Sequence, residues 1–462
     1  MPQIVRLLRD NMHASPQQLS HALDRLFDAV SPSLRRAPLF TAVSGGADSL
    51  SLAHIAQQYA DRHGLAHMAL VVNHNIRPEA HNEALAVMAE LARHDIRAEL
   101  LAIDMKAPDS AIQHWARQQR FARLAGHARA SGGVLLFGHH ADDQAETILM
   151  RLNNASSVAG LAGMSEVSIH EGVACLRPFL SLPKSALLSY CAEHDLGYVT
   201  DKSNFDPKFE RVRMRQFLQC RSDFAGKALQ MGALCKTLDS ALHRTLRDWL
   251  SKYLLLASPV DMRLARQPFD VLAPSMQRYL LRYMMQFVGG SSYPARFDAV
   301  ADILPSVLAG KRSTLSGCYI YATSKAVIIQ AEWGRKSPAG AIDIPPDTSV
   351  VYENRWIIRS AAAGLIMRYG ELKQAHPEAA QTVLSQLDSY ASRPRDMIPC
   401  FLGLDGRPKA PHFIMDRDRL YSDSQADGRA IQVWPRHIPE LLDGFFRYGH
   451  PMYSTKCTKL LT

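Results

Sequence analysis

The sequence predicts an α/β fold built around a parallel, doubly wound sheet, and three observations support this prediction. Between residues 37 and 199, short apolar runs alternate with longer segments of helical periodicity, as in strands joined by right-handed helical crossovers. A glycine-rich turn at residues 44–49 connects the first apolar run to the first helical segment. The polar clusters of this region follow apolar runs, at the edge where parallel sheets bind ligands.

The individual elements follow from the spacing of the apolar residues. Strands are predicted at residues 39–43, 67–73, 97–102 and 134–137. Helices are predicted at residues 48–63, 79–95, 110–130 and 183–194, with an outer helix at residues 16–30. Residues 156–164 are rich in glycine, which predicts a flexible loop.

The turn at residues 44–49 has the composition of a phosphate-binding loop. Its residues are Ser44, Gly45, Gly46, Ala47, Asp48 and Ser49. The glycines let the backbone approach a ligand closely, the serines add hydroxyl donors, and the helix that follows begins with unpaired N–H groups. Because the aspartate would repel phosphate without a cation between them, a bound nucleotide with Mg²⁺ is predicted. The alternative is a Gly-Gly turn with the aspartate as a helix cap.

Two further clusters have both a structural and a functional interpretation. Asn73 and His74 end the second predicted strand, where they form either a plain turn or a nucleotide contact. Arg117 and Arg120 share one face of a predicted helix. That pair is either a solvated basic stripe or a bidentate phosphate contact.

The fourth predicted strand leads into a cluster of ionisable residues. His139 and His140 stand at the strand exit, and Asp143 and Glu146 lie one turn apart on the following helix. A structural zinc site would require four ligands, so the two carboxylates are predicted to bind an ammonium group or Mg²⁺. Asp142 is predicted to cap this helix.

Composition limits the class of protein. The chain has 462 residues and a net charge of +9, which suggests two to four domains and favours a polyanionic partner without establishing one. Its seven cysteines show no C-x-x-C spacing, which favours the reduced thiols of a cytoplasmic protein. No apolar run reaches the ~20 residues needed to span a bilayer, and residues 1–10 lack the apolar core of a signal peptide. We therefore expect no membrane partner.

Taken in order, the clusters over residues 38–215 resemble the bacterial tRNA(Ile)-lysidine synthetases, which belong to the N-type ATP pyrophosphatases with a PP-loop. A Walker A loop and a dinucleotide fingerprint are both missing from the sequence. The resemblance rests on Ser44 to Ser49, Asn73-His74, Arg77 to Ala80, Ala116-Arg117, Arg120-Phe121, His139-His140, Asp143, Glu146-Thr147, Ala159 to Leu161, Arg177-Pro178, Asp201, Ser203-Asn204 and Asp206.

The chain also departs from the pattern of this family. It has Val71, Asn75, Gln113 and Val212 where the family usually has His, Gly, Glu and Asn. Residues 154–157 replace an Arg-Gly-Ser-Gly loop and lose a basic side chain, for which Arg151 is a candidate replacement. These differences affect the substrate contacts of the loop more than the ATP chemistry, because the phosphate-binding turn is intact.

The resemblance implies that lysine is ligated to C2 of the wobble cytidine of a tRNA(Ile) with a CAU anticodon, through an adenylated cytidine and with release of AMP and pyrophosphate. This changes codon recognition from AUG to AUA. The implied ATP-binding residues are Ser44, Gly45, Gly46, Ala47, Asp48, Ser49, Asn73, His74 and His139. The implied tRNA contacts are Arg177, Arg211, Arg213 and Arg215.

The resemblance also implies a chemical role for each remaining residue of the site. Asp48 would hold Mg²⁺, and Arg120, with Arg117 as the alternative, would stabilise the activated base. Asp143 and Glu146 would bind the ammonium groups of L-lysine, and one carboxylate would accept a proton.

Four domains are predicted. They are an N-terminal helical extension at residues 1–37, a PP-loop catalytic domain at 38–215, a helical tRNA-contacting domain at 216–335, and a small α+β domain at 336–462, with a hairpin at 351–356 whose turn is at 352–355. The sequence leaves both a monomer and a homodimer open.

Three other functions are considered. A tRNA-thiolating PP-loop enzyme usually relies on paired cysteines, which this chain lacks in C-x-x-C spacing. An amidotransferase-type ATP pyrophosphatase would carry a glutaminase domain or an amino-terminal catalytic cysteine, and neither is visible. An RNA-binding protein that only senses ATP is the alternative from a non-enzymatic class.

Overall fold

In the computed structural model, contacts between residues divide the chain into two compact units, Met1–Ser240 and Ala241–Thr462. The structure describes residues 16–73, 80–103, 112–154, 156–170, 172–199, 208, 210–258, 260–291, 293–332, 340–346, 348–353, 355–387, 396–409, 412–413 and 431–435. Within these ranges, no helix is long and apolar enough to cross a membrane. The three boundaries between the four predicted domains stay a prediction.

A six-stranded sheet forms the centre of the first unit. Its strands are β1 (Leu39–Val43), β2 (His67–Asn73), β3 (Ala98–Ala102), β4 (Val134–Leu136), β5 (Val167–His170) and β6 (Val173–Leu176). Their order is β3-β2-β1-β4-β6-β5. All neighbours pair in parallel except β5 and β6, which form an antiparallel hairpin. The central strand β1 is buried along its whole length, as expected when helices cover both faces of a parallel sheet.

The helices of the first unit are α1 (Pro16–Ala29), α2 (Pro32–Arg35), α3 (Ala47–His63), α4 (Ala80–Arg93), α5 (Ile112–Ala130), α6 (Ala141–Asn153), α7 (Val158–Leu161), α8 (Lys184–Glu193), α9 (Glu210–Cys220) and α10 (Ser222–Tyr253), of which residues up to 240 belong here. One apolar cluster joins Leu50 of α3 and Leu91 of α4 to the sheet. A second cluster joins Leu124 of α5 to Phe40 and Leu135. The doubly wound fold is therefore confirmed.

The sequence located most elements of this unit but missed two strands. The four predicted strands and the helices beside them begin and end within two residues of the observed ones. β5 and β6 were not predicted because each has only four residues and β5 is half-buried throughout, so no alternation of apolar and polar positions is visible. His74, Arg77 and the turn at 201–206 lie outside the described residues.

The prediction of helices for residues 216–330 is confirmed for the segments around Leu242 and Tyr279. It is incomplete because this region also contains strands, which were not predicted. Helices α10, α11 (Arg266–Val271), α12 (Pro274–Gly289) and α13 (Phe297–Leu308) accompany an antiparallel sheet. Its strands are β7 (Leu254–Ala257), β8 (Asp261–Ala265), β9 (Ser313–Leu315), β10 (Cys318–Ala322) and β11 (Ala326–Ala331), in the order β7-β8-β11-β10-β9. Strands of three to six residues give too weak a periodic pattern to stand out between long helices.

The last part of the second unit is α+β, as predicted. It contains β12 (Ile342–Ile344), β13 (Thr348–Tyr352), β14 (Trp356–Ser360), β15 (Gly364–Arg368), α14 (Tyr369–Ala375), α15 (Pro377–Leu387), β16 (Pro399–Gly403), β17 (Pro408–Lys409), β18 (His412–Phe413) and β19 (Ile431–Pro435). Two four-stranded sheets result, β12-β15-β16-β17 and β13-β14-β19-β18. The predicted hairpin is confirmed by the antiparallel pairing of Tyr352 with Trp356.

Candidate active site

The glycine-rich loop between β1 and α3 is held in shape by its own side chains. Gly45 has a φ of +82°, in the region that favours glycine, and a Cβ there would lie 2.5 Å from Val87. The Ser44 N–H donates to Ser49 Oγ at 3.1 Å, and that hydroxyl donates to the Gly46 carbonyl oxygen at 3.0 Å. Ser49 therefore supports the loop directly, in addition to any contact that it makes with phosphate.

The exit of β4 approaches the first turn of α3 very closely. A Cβ at Gly138 would lie 2.5 Å from the carbonyl oxygen of Asp48, closer than non-bonded atoms approach, so only glycine fits there without a backbone shift. This approach places His139 and His140, which follow Gly138, beside the phosphate-binding loop.

The two oxygens of the Asp48 carboxylate have different surroundings. Oδ2 lies 3.6 Å from His140 Nε2 and 3.5 Å from Lys184 Nζ. Oδ1 is buried and has no hydrogen-bond partner among the described residues. Burial raises the pKa of Asp48, but the opposing effect of His140 and Lys184 is larger, so the pKa lies below its usual value. The carboxylate is therefore ionised at neutral pH, with one oxygen left for a cation.

His140 is the site residue that the sequence analysis did not select. It is 2% exposed, and its ring nitrogens lie 3.2 Å from Asp142, 3.6 Å from Asp48 and 3.4 Å from Asp143. Burial lowers the pKa of His140, but these three carboxylates raise it to about 9. The ring is thus a buried imidazolium. Its position directly after a predicted strand was a signal, but the sequence could not show which of two adjacent histidines points inward.

The prediction that Asp142 caps its own helix is wrong. His140 is the N-cap residue of α6, and the His140 N–H donates to Asp143 Oδ2 at 3.2 Å. Asp142 stands inside the first turn of α6. Its Oδ2 instead accepts a hydrogen bond of 2.8 Å from the N–H of Lys184, the first residue of α8, and so caps that helix.

The structure joins the predicted lysine-binding carboxylates to two of the predicted tRNA-binding arginines. Glu146 is 1% exposed and accepts hydrogen bonds of 2.8 Å from Nε of both Arg211 and Arg215 on α9. Arg211 also lies 3.2 Å from Asp143. We call these four residues the carboxylate–arginine cluster. The third residue, Arg213, is exposed and donates to the Lys208 carbonyl oxygen.

Arg177 and His139 lie at neighbouring strand exits. The Arg177 guanidinium donates to the Ser165 carbonyl oxygen and to Ser168 Oγ, and it stands over the Phe137 ring at 5.7 Å. His139 Nδ1 is buried without a hydrogen-bond partner among the residues described. Burial lowers the pKa of His139 to about 4, so this ring is neutral where that of His140 is charged.

Arg120 on α5 is a half-buried cation. Burial, and then the nearby charge of Arg117, lower its pKa. An anionic ligand would relieve both effects. Asn73 is 3% exposed at the end of β2, where its amide lies 3.4 Å from His81 Nδ1.

The glycine-rich loop that the sequence predicts to be flexible is held by α6. The Gln144 side chain pairs with both the N–H and the carbonyl oxygen of Met164, at 2.7 and 2.9 Å. Arg151 Nη1 donates to the carbonyl oxygens of Gly160 and Gly163, each at 2.7 Å. Arg151, the candidate replacement for the family's basic side chain, therefore binds the loop backbone.

A phosphate-binding loop beside a histidine–carboxylate helix, at the carboxyl edge of a parallel sheet, defines an ATP-using enzyme of the PP-loop class. Residues 17–221 match the PP-loop domain family. The chain is 31% identical over 348 residues to the tRNA(Ile)-lysidine synthase of Hyphomonas neptunium, covering 73% of this chain and 93% of that one. It is 33% identical over 316 residues to that of Methylobacterium nodulans, covering 64% and 91%.

A third relative, the tRNA(Ile)-lysidine synthase of Ruegeria pomeroyi, is 29% identical over 362 residues, covering 77% of this chain and 83% of that one. The chain belongs to the tRNA(Ile)-lysidine synthase family, whose members are ligases of the PP-loop class. The resemblance that the sequence motifs carry is thereby confirmed.

Proposed function

We propose that the protein ligates L-lysine to C2 of the wobble cytidine, position 34, of a tRNA(Ile) with a CAU anticodon, and so changes codon recognition from AUG to AUA. One observation carries the proposal. Nε2 of His140 lies 3.6 Å from Asp48 of the phosphate-binding loop and 3.4 Å from Asp143 of the carboxylate pair. The proposed nucleotide site and the proposed lysine site would therefore share one buried charged group.

In the first step, the cytosine O2 attacks the α-phosphate of ATP, pyrophosphate leaves, and the base becomes adenylated. The loop from Ser44 to Ser49 would hold the phosphates, with Asn73, His74 and His139 as further nucleotide contacts. Arg120, or alternatively Arg117, would stabilise the activated base by pairing with the negative phosphate joined to it, a role that suits the half-buried position of Arg120.

The residues present suit a magnesium ion. The buried, unpartnered Oδ1 of Asp48 offers the single carboxylate ligand that Mg²⁺ takes beside substrate phosphates and water. When bound, Mg²⁺ would offset the negative charge that develops on the departing pyrophosphate.

In the second step, the ε-amine of lysine displaces AMP from C2. Asp143 and Glu146 would bind the ammonium groups of lysine, and one carboxylate would accept the proton that the amine loses. The carboxylates raise the pKa of a bound ammonium group, whereas the positive charges of His140 and Lys184 beside Asp48 lower it. The proton is therefore passed directly to a carboxylate as the amine attacks, rather than lost to solvent beforehand.

Basic side chains around this edge would contact the tRNA. We assign this role to Arg177, Arg211, Arg213 and Arg215, which agrees with the net charge of +9. The homodimer stays a prediction.

The experiment that tests the proposal incubates the purified full-length protein with ATP, Mg²⁺, labelled lysine and tRNA(Ile) transcripts bearing either CAU or UAU anticodons. We expect only the CAU transcript to be labelled, with a bond that survives the mild base that removes aminoacyl esters. Release of AMP without lysine transfer would indicate that the protein is an adenylating enzyme but that lysine is not the group it ligates. Binding of tRNA without either product would favour the RNA-binding alternative.

A further inference from the structure

The carboxylate–arginine cluster is arranged in two layers. The Glu146 side chain is 2% exposed and that of Asp143 14%, whereas those of Arg211 and Arg215 are 31% and 33% exposed. The arginine side chains are therefore more accessible to solvent than the carboxylates to which they donate.

The four residues of this cluster balance their own charges, and the His140 imidazolium adds a positive charge 3.4 Å from Asp143. Two carboxylates face two guanidinium groups, and each oxygen of Glu146 accepts a hydrogen bond of 2.8 Å from an arginine Nε. An ammonium group that entered the cluster would be repelled by Arg211 and Arg215, which already donate to both oxygens of Glu146. A lysine ammonium group can therefore take the place of an arginine Nε on Glu146 only if that guanidinium group moves away.

The helix that carries the arginines is suited to an anionic partner. α9 bears Arg211, Arg213 and Arg215 against a single acidic residue, Glu210, so it attracts polyanions. A guanidinium group binds phosphate with the same bidentate geometry that it uses for a carboxylate. About a third of each of the Arg211 and Arg215 side chains is accessible, enough for an RNA phosphate to compete with Glu146.

We propose that Arg211 and Arg215 couple the two substrates: RNA phosphates draw these guanidinium groups off Glu146 and Asp143, and lysine then takes the carboxylates. This inference rests on the proposed lysine site and adds an order of binding to it. Because such coupling is reciprocal, lysine must tighten RNA binding by the same factor by which RNA tightens lysine binding. Lysine would thus be held firmly only when its acceptor is present.

The test measures lysine affinity calorimetrically with the full-length protein, without ATP so that no turnover occurs, in the presence and absence of the CAU transcript. For the wild type we expect RNA to tighten lysine binding by about tenfold or more. Arg215→Gln should bind lysine about tenfold more tightly than the wild type without RNA, and RNA should then add little. Arg215→Lys keeps the positive charge and should keep the weak affinity.

Arg221→Gln, at an exposed arginine just after α9, is the matched control and should behave as the wild type. If Arg215→Gln does not show a cooperative thermal transition, Arg211→Gln replaces it with the same expected result. Equal lysine affinity of the wild type with and without RNA would overturn the coupling and leave the proposed ligase intact. Undiminished lysine affinity in Glu146→Gln, measured with the CAU transcript present, would instead overturn the lysine site itself.

Discussion

Oδ2 of Asp48 lies 3.6 Å from Nε2 of His140, so the phosphate-binding loop and helix α6 are joined through one buried ion pair. Oδ2 faces the imidazolium, and Oδ1 is buried without a hydrogen-bond partner among the described residues. In the proposed function, the two oxygens of this one side chain would connect the nucleotide site to the lysine site.

Asp48→Asn should reduce AMP formation by about a hundredfold or more. The amide keeps the shape of the side chain but removes the charge that would hold Mg²⁺ and pair with His140. The measurement is release of AMP from labelled ATP in the presence of the CAU transcript. Asp61→Asn, at a carboxylate on the same helix that accepts a hydrogen bond from Gln57, is the control and should retain activity. Full activity of Asp48→Asn would remove the basis for the nucleotide site.

Glu146→Gln should impair the use of lysine far more than the use of ATP. Glutamine has the same shape but loses the charge that would attract an ammonium group, and loss of a charged hydrogen bond typically costs about 1.5–3 kcal/mol. The KM for lysine should rise by more than about tenfold, while the KM for ATP changes little. Glu193→Gln, at an exposed position of α8, is the comparison. A rise in the KM for ATP alone would assign Glu146 to the nucleotide.

Gly138→Ala should destabilise the first unit and lower AMP formation together. The added Cβ would lie 2.5 Å from the Asp48 carbonyl oxygen, and relieving such a clash typically costs about 1–3 kcal/mol. Gly126→Ala provides the control, because a Cβ at Gly126 in α5 meets nothing within 4 Å. Urea unfolding and AMP release measured on both variants check this prediction. Equal behaviour of the two variants would contradict it.

Stability should fall on acidification because of buried neutral histidines. Burial lowers the pKa of His67 from 6.5 to about 4, and its ring nitrogens are hydrogen-bonded to Thr41 and Gln57. Between pH 4 and pH 6.5, His67 therefore binds a proton in the unfolded chain but not in the folded chain. The free energy of unfolding therefore decreases as pH falls, by at most about 1.4 kcal/mol per pH unit for one such group.

His67→Asn should reduce this pH dependence between pH 4.5 and 6, as measured by urea unfolding. His54 and His139, whose pKa burial also lowers to about 4, would supply the remaining slope. His21→Gln, at an exposed histidine, should leave the slope as in the wild type. An unchanged slope in His67→Asn would contradict the prediction.

The sequence predicted the sheet and the loop of the site because both are local patterns. A wholly buried run such as β1 and a glycine pair before a helix are visible within about ten residues. The pairing of Glu146 with Arg211 and Arg215 joins positions 65 and 69 residues apart. No periodic pattern records such a contact, so the lysine and tRNA predictions were made separately although their residues touch.

The anchoring of the loop at residues 160–164 by Gln144 and Arg151 has an evolutionary consequence. Helix α6 fixes the backbone of this loop at Gly160, Gly163 and Met164 through its own side chains, so the path of the loop depends less on the side chains at residues 154–157. We expect substitutions in this segment, such as the departure from the Arg-Gly-Ser-Gly pattern of the resembled family, to leave the loop in place. Among relatives, the length and composition of this segment should vary most where an arginine and a glutamine occupy the two anchoring positions.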